Sequence, residues 1–323
     1  MHINLTPLYY DGLDCADNSL ISITAWLKLN YQSAFIKSWN FSFKTGEAYK
    51  NDLLSERITL NQIDYSMLID KYCAIQLTYN KITDPNETLK IITNEFNDGR
   101  PVIISIESFW CPWKGEYQKA YADHFCLALG INDTGDIHCV DCAPINYGCV
   151  LPLDEFLQGG GDCMTFKVSD DIPKAMEFQD VIGELVNDLY KPIDGYNTFD
   201  SIRNLAIDFK NTFDLMEEIE GNDLSNTWVI PIIQKLRSVS GGRSQYAAFL
   251  RYFYSKRNID ALSVLCTDLE YVSSRWSFVM IIIEKHILTN RPVNADEISN
   301  IIFEIADLEE AIAQKLKQLL SKA

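Results

Sequence analysis

Long apolar runs are missing from this sequence. The longest, Phe278 to Ile283, has six residues, whereas a membrane-spanning helix needs about 20. The opening segment MHINLTPLYYDG lacks the basic start and apolar centre of a secretion signal. Nucleotide-binding motifs of the GxGxxG and P-loop types and the GxSxG motif of serine hydrolases are missing too. We therefore expect a cytoplasmic protein that does not act on a membrane and uses neither nucleotide-dependent nor serine-hydrolase chemistry.

Positive charge is scarce, because 28 lysines and arginines face 45 aspartates and glutamates and leave a net charge of −17. This balance argues against binding to nucleic acid, whose phosphates attract basic surfaces. It is compatible with a cationic small-molecule substrate. The nine cysteines are an odd number spread over 323 residues. That usage fits free thiols in a reducing cytosol better than a disulfide framework.

Strand and helix patterns divide the chain into two parts. Three strand-like runs with turn signals between them occupy residues 101–106, 124–130 and 137–141. Beyond about residue 172 the patterns are helical, at 174–190, 197–220, 228–238, 244–256, 259–288 (broken in the middle) and 295–321. We therefore predict an α+β domain over residues 1–170 and an all-helical domain over residues 171–323.

The stretch YYDGLDCADNSL places a cysteine where a helical pattern begins. Asp14 is typical of a helix cap, so Cys15 falls in the first helical turn. Unpaired N–H groups and the helix dipole favour a thiolate there, and the thiolate is the nucleophilic form. The alternative is that Cys15 is a small buried apolar residue.

A histidine and an aspartate complete a candidate catalytic set. His124 begins one strand, and Asp141 ends the next strand of the same predicted hairpin. Antiparallel strands joined by a short turn put these two side chains next to each other. A cysteine nucleophile needs a base, and the base needs an orienting partner. We therefore predict a catalytic site made of Cys15, His124 and Asp141.

These motifs resemble known enzymes. The order of "DC" on a first helix, "HFCLALGIND" and "IHCVDCAP" resembles the papain-like fold of bacterial peptidases that process exported peptides. "PVIISIESFWCPW" upstream of the histidine, together with "SVSGGRSQYAAFLRYF" in the helical part, resembles the butirosin-biosynthesis acyltransferase family. In outline the resemblance covers nearly the whole chain.

The resemblance implies amide formation in bacterial natural-product assembly, including that of antibiotics. An acyl group would pass from the phosphopantetheine thioester of a carrier protein to Cys15 and then to an amine. His124 would act as general base and acid, and Asp141 would orient it. No cofactor of the chain itself is implied, because the phosphopantetheine belongs to the carrier protein. A papain-like peptidase or thioesterase is the alternative, and a binding protein with a vestigial triad is the third possibility.

The substrate site departs from the papain pattern. Papain-type enzymes usually carry a glutamine about six residues before the cysteine, and here that position is Tyr9. We therefore expect the oxyanion to be held by the Cys15 backbone N–H and a second donor, either Asn18 or Tyr10.

Other candidate substrate contacts flank His124. The aromatic residues Trp110, Trp113 and Tyr121 either form the wall of an acyl pocket or cap the core. Glu107 and Asp123 would attract the ammonium group of a cationic acceptor, or they are solvated charges.

A metal site is not expected. The segment from His138 to Cys142 contains a C-x-x-C motif but lies within a strand and lacks a second ligand pair. Between Leu224 and Ile259 there are six cations and no anions. We expect Arg243, with Arg251, Lys256 and Arg257, to dock the acidic carrier protein or its phosphate. The alternative is a solvated helix face.

Overall fold

The computed structural model describes residues 2–60, 63–170, 176–222, 224, 226–257, 259–289 and 291–321. The strands are β1 (Ser42–Phe43), β2 (Ile58–Thr59), β3 (Ile75–Asn80), β4 (Val102–Glu107), β5 (Asp123–Ile131), β6 (Ile137–Cys142), β7 (Ile145–Leu151) and β8 (Gly160–Val168). The helices are α1 (Cys15–Trp26), α2 (Leu54–Arg57), α3 (Tyr65–Cys73), α4 (Pro85–Asn97), α5 (Leu153–Gly159), α6 (Phe178–Tyr190), α7 (Thr198–Thr212), α8 (Leu215–Ile219), α9 (Pro231–Arg257), α10 (Asp260–Thr289) and α11 (Ala295–Leu320). None of the helices described combines the length and the apolar composition needed to cross a bilayer.

The chain forms two compact units. The first comprises residues 1–34 and 64–175, and the second comprises 35–63 and 176–323. The predicted division is therefore corrected, because residues 35–63 leave the α+β domain for the helical one. The physical reason is aromatic burial: Trp39 packs against Tyr246, and Phe41 stacks on Trp276 at 6.2 Å between ring centroids. This segment supplies part of the core that the helices alone would leave open.

The first unit is built on one antiparallel sheet of six strands in the order β3-β8-β4-β5-β6-β7. Together with the helical second unit, it confirms the predicted α+β class. Strands β5 and β6 pair through a register in which Leu127 lies opposite Val140. This register brings the start of β5 and the end of β6 to the same end of the sheet.

Helix α1 packs against β5 and β6. It begins at Cys15, and the Asp14 side chain caps it by accepting a hydrogen bond from the Asp17 backbone N–H at 2.7 Å. Leu20, Ile21 and Ile23 bury the apolar face of the helix in the core. The cap and this face together fix the first turn of α1 beside the sheet.

In the second unit, two helices are longer than the patterns predict. Residues 231–238 and 244–256 of the two predicted segments belong to one helix, α9, which runs through Gly241 and Gly242. A Cβ at Gly242 would clash with the Ser38 carbonyl oxygen. Gly242 therefore allows the backbone of α9 to lie close to the Ser38 carbonyl and does not end the helix. Helix α10 is likewise continuous where a break was expected.

Candidate active site

His124 and Asp141 meet at the end of the sheet. His124 Nε2 lies 2.8 Å from Asp141 Oδ2, and both side chains are buried. Asp141 Oδ1 accepts a second hydrogen bond, from the Ala143 backbone N–H at 3.0 Å. The predicted hairpin neighbours therefore form a hydrogen-bonded imidazole–carboxylate pair.

Cys15 joins this pair from the first turn of α1. Its Sγ accepts a hydrogen bond from the Phe125 backbone N–H at 3.3 Å, and hydrogen bonding by the Cys15 side chain is one of the causes that raise the pKa of His124. Because Asp141 occupies Nε2, the ring nitrogen left to exchange a proton with the thiol is Nδ1. Cys15 is partly exposed, whereas the other eight cysteines are buried. The three predicted residues thus lie together, with Cys15 partly exposed.

The surroundings of the pair favour its charged form. Burial lowers the pKa of His124, but the hydrogen bonds to Asp141 and Cys15 outweigh it, so the net pKa is raised. Burial raises the pKa of Asp141, yet the hydrogen bonds from His124 and the Ala143 N–H outweigh that effect and leave it lowered. A base with a raised pKa next to an acid with a lowered pKa is typical of an imidazolium–carboxylate pair.

Two residues of the loop between β4 and β5 also contact Asp141. Trp113 Nε1 donates to Asp141 Oδ2 at 2.9 Å, and Lys114 Nζ lies 3.9 Å from the same oxygen. The indole N–H of Trp113 is thus bound to the carboxylate, and its predicted role, as a pocket wall or a cap on the core, stays a prediction. Lys114 was not predicted. Its position next to Trp113 in the sequence is the signal that could have found it.

Asn18 holds the turn that precedes the nucleophile. Its side chain is fully buried, and its Oδ1 accepts from the Tyr10 backbone N–H at 2.7 Å. Its Nδ2 lies within 3.4 Å of three carbonyl oxygens, those of Tyr10, Leu13 and Asp14. Because these acceptors engage the amide, the structure argues against Asn18 as an oxyanion donor and gives it a positioning role.

Tyr10 and Cys15 are the remaining oxyanion candidates. The Tyr10 hydroxyl lies 3.1 Å from the Tyr31 hydroxyl. Backbone N–H groups in a first helical turn have no acceptor within the helix. The position of the Cys15 N–H at the start of α1 is therefore compatible with its predicted role, and Tyr10 stays a prediction as the second donor.

The two candidate anions face each other beside His124. Glu107 lies directly opposite Asp123 in the β4–β5 ladder, one position beyond the pairing of Ile106 with His124. Both carboxylates are exposed, and directly opposed like charges destabilise a strand pair. Their role in holding an ammonium group stays a prediction.

The two other aromatic candidates differ in burial. Trp110 packs against Gly159, where a Cβ would clash with the indole. Tyr121 stacks on Phe109 with ring centroids 4.5 Å apart and keeps 66% of its surface exposed. Trp110 therefore helps cap the core, and Tyr121 faces solvent.

The proposed docking segment is corrected. Arg243 is completely buried, and its Nε and Nη2 each donate to Glu309 at 2.9 Å. It cannot contact a carrier protein, because its guanidinium is buried and paired with a carboxylate of α11. Arg251 and Arg257 are exposed but paired with Glu270 and Glu177. Much of the local positive charge is thus neutralised within the chain.

Within the described part of the chain, no three histidine, cysteine or acidic side chains are grouped so that they could hold a metal ion. Cys142 contacts Ser22 of α1 at 3.6 Å, while Cys139 bonds to the Ile137 carbonyl of its own strand.

Comparison of the sequence with models of protein families and with curated proteins found no match. The family resemblance therefore stays a prediction.

Proposed function

We propose that this chain is a papain-like cysteine acyltransferase that moves an acyl group from a carrier-protein thioester to an amine. The observation that carries the proposal is the contact of a partly exposed thiol, Cys15, with the buried His124–Asp141 pair. A nucleophile at a helix N-terminus, a base at a strand start and an orienting acid on the next strand support the papain-like arrangement.

In the first step His124 takes the thiol proton, and the Cys15 sulfur attacks the thioester carbonyl carbon. The Phe125 N–H donates to the Cys15 sulfur and holds it at the start of α1, beside His124. The carbonyl re-forms as the bond to the phosphopantetheine sulfur breaks. The leaving thiolate takes the proton from the imidazolium, and an acyl-Cys15 thioester remains.

In the second step the acceptor amine attacks the acyl carbon of that thioester. His124 removes a proton from the attacking nitrogen, so that a neutral amide forms as the bond to Cys15 breaks. The proton then returns to the sulfur. Because both thioesters are activated, this reaction demands less of an oxyanion hole than cleavage of a peptide bond, which suits a chain without the papain-type glutamine.

Intact-mass analysis with a short-chain acyl N-acetylcysteamine thioester tests the proposal. We expect one acyl adduct on the wild-type chain and none on Cys15→Ala. Cys266→Ala, which removes a buried thiol of α10, is the matched control and should keep the adduct. An adduct that survives Cys15→Ala, or its absence although iodoacetamide labels Cys15, would contradict the proposal.

A second experiment separates transfer from hydrolysis. An acylated chain is mixed with a primary amine and, in parallel, with buffer alone. Formation of the amide faster than release of the free acid supports the acyltransferase. Release of the acid at the same rate with and without amine would instead indicate a thioesterase, and cleavage of unactivated peptides would indicate a peptidase.

A further inference from the structure

Helix α10 carries a line of exposed residues with hydrophobic members. Exposed positions run along the helix at intervals of three and four: Val264, Thr267, Tyr271, Ser274, Phe278, Ile281, Lys285 and Leu288. The five apolar side chains among them are between 44% and 69% exposed. We name these eight residues the α10 stripe. At 1.5 Å per residue it is about 36 Å long.

The α10 stripe is not part of the core of the second unit. The opposite side of α10 supplies the buried residues, including Leu269, Trp276 and Ile283. The flanks of the helix already pair with its neighbours, through Glu270 to α9 and through Arg275 to Glu304 of α11. An outward helix face is ordinarily polar, and a contiguous exposed apolar patch marks an interaction site.

We propose that the α10 stripe is a self-association surface, on which a second copy of this chain packs its own α10 in the antiparallel direction. The alternation of three and four residues is the heptad spacing with which two helices interlock their side chains. A symmetric pair of this kind uses the same patch on both copies. The two-fold axis would pass beside position 276.

This pairing is self-complementary along its length. About that axis, Val264 meets Leu288 of the second copy, and Tyr271 meets Ile281. The ring of Phe278 faces the small Ser274, which leaves space for it. Each apolar residue of the α10 stripe is thereby covered by another member of the stripe.

Charge selects the antiparallel direction. Lys285 is the one charged member of the α10 stripe. In the antiparallel pair it lies opposite the uncharged Thr267 of the second copy and beside Asp268, which pairs with Lys315 of its own chain at 3.0 Å. A parallel pair in register would instead place Lys285 against its own counterpart, and like charges in contact are unfavourable.

The size of the seam sets the expected strength. Stable interfaces use about 20 to 30 residues a side, which is more than this stripe offers. We therefore expect a dimer that dissociates in the micromolar range and whose population depends on concentration.

Sedimentation velocity over a micromolar concentration series tests the surface. We expect the wild-type chain to shift from monomer to dimer, and Ile281→Glu to raise the dissociation constant by at least about tenfold. Ile207→Glu, at an exposed isoleucine of α7, is the matched control and should dimerise like the wild type. A monomeric wild type, or equal weakening by both variants, would overturn the proposal.

Crosslinking tests the direction. Thr267→Cys and Lys285→Cys chains, both carrying Cys15→Ala, are mixed and treated with a short bismaleimide. The antiparallel pair predicts a crosslink in the mixture and little in either chain alone. Efficient crosslinking of Thr267→Cys with itself would contradict the antiparallel direction, and a dimer without either crosslink would place the interface elsewhere.

Discussion

Two buried carboxylates, Asp141 in the first unit and Glu309 in the second, look alike in chemistry and differ in what surrounds them. Each accepts an indole N–H: Trp113 donates to Asp141 at 2.9 Å, and Trp39 donates to Glu309 at 2.7 Å. The charged partner of Asp141 is a histidine. That of Glu309 is Arg243, which has no exposed surface.

The difference distinguishes the candidate active site from a structural ion pair. Both oxygens of Glu309 are occupied, by Arg243 and by the indoles of Trp39 and Trp276. An arginine cannot exchange a proton in the physiological range. His124 can, and it lies beside the partly exposed Cys15. Burial of charge alone is therefore not a sign of catalysis; an exchangeable proton beside an accessible nucleophile is.

The largest expected effect is on activity, at Asp141. Asp141→Asn keeps the size of the side chain but removes the charge that holds His124 in its proton-accepting form. We expect the rate of Cys15 acylation to fall by about 10³-fold or more, measured by intact mass with the thioester donor.

Asp162→Asn is the control, because Asp162 is a carboxylate of the same sheet that caps Ile82 at 2.8 Å and does not touch the candidate site. It should leave the acylation rate within a fewfold of wild type. Equal losses in the two variants would mean that Asp141 acts through the fold alone.

The second effect is on stability, at Glu309. Glu309→Gln leaves the guanidinium of Arg243 buried without a counter-charge, which costs about 3 to 5 kcal/mol in the free energy of unfolding. Denaturant unfolding measures it. The exposed pair gives the contrast: Glu270→Gln, which removes the partner of Arg251, should cost less than about 1 kcal/mol. Similar costs at both positions would contradict the structural role of Glu309.

The helix start at Cys15 and the pairing of His124 with Asp141 could be predicted from the sequence because the signals for them are local. Asp14 caps the helix that Cys15 begins, and His124 and Asp141 lie 17 positions apart on one hairpin. A short hairpin leaves few alternatives for which strand ends become neighbours. The fold class follows from periodicity for the same reason, since each pattern reports on its own element.

Contacts that form only in the tertiary fold could not be predicted from the sequence. The sequence predicts Arg243 as a surface cation because its partner Glu309 lies 66 residues further along the chain. Trp39, which also donates to Glu309, lies 270 residues before that glutamate. The transfer of residues 35–63 to the second unit has the same cause. The sequence predicts Asn18 as a possible oxyanion donor, but its acceptors are backbone carbonyls, which the side-chain pattern does not show.

The third effect compares the two indoles. Trp113→Phe and Trp39→Phe each remove one N–H donor from a carboxylate. We expect Trp39→Phe to lower the free energy of unfolding by about 1 to 3 kcal/mol, because a buried charged acceptor loses a partner. Trp113→Phe should lower the acylation rate more than it lowers stability, since Trp113 is only half-buried and Asp141 keeps its other donors. Denaturant unfolding and the acylation assay are measured for both variants. A larger loss of unfolding free energy in Trp113→Phe than in Trp39→Phe would contradict this expectation.

The smallest effect is a pH dependence that only the Asp141 site should show. The raised pKa of His124 means that its pairing stabilises the fold fully below pH 6.5, and this contribution is lost as pH rises through the folded-state pKa. The lowered pKa of Asp141 means that its contribution is present above pH 3.8 and is lost as pH falls through its folded-state pKa.

We therefore expect the stability difference between wild type and His124→Gln to be larger at pH 5 than at pH 8. Thermal unfolding at the two pH values measures it. The difference between wild type and Arg243→Met should change less over that range, because arginine stays charged throughout. A His124→Gln difference that is constant with pH, or that grows toward pH 8, would show that the pair is held neutral. Asp141, paired with a titratable histidine, and Glu309, paired with a permanently charged arginine, would then not differ in the way proposed.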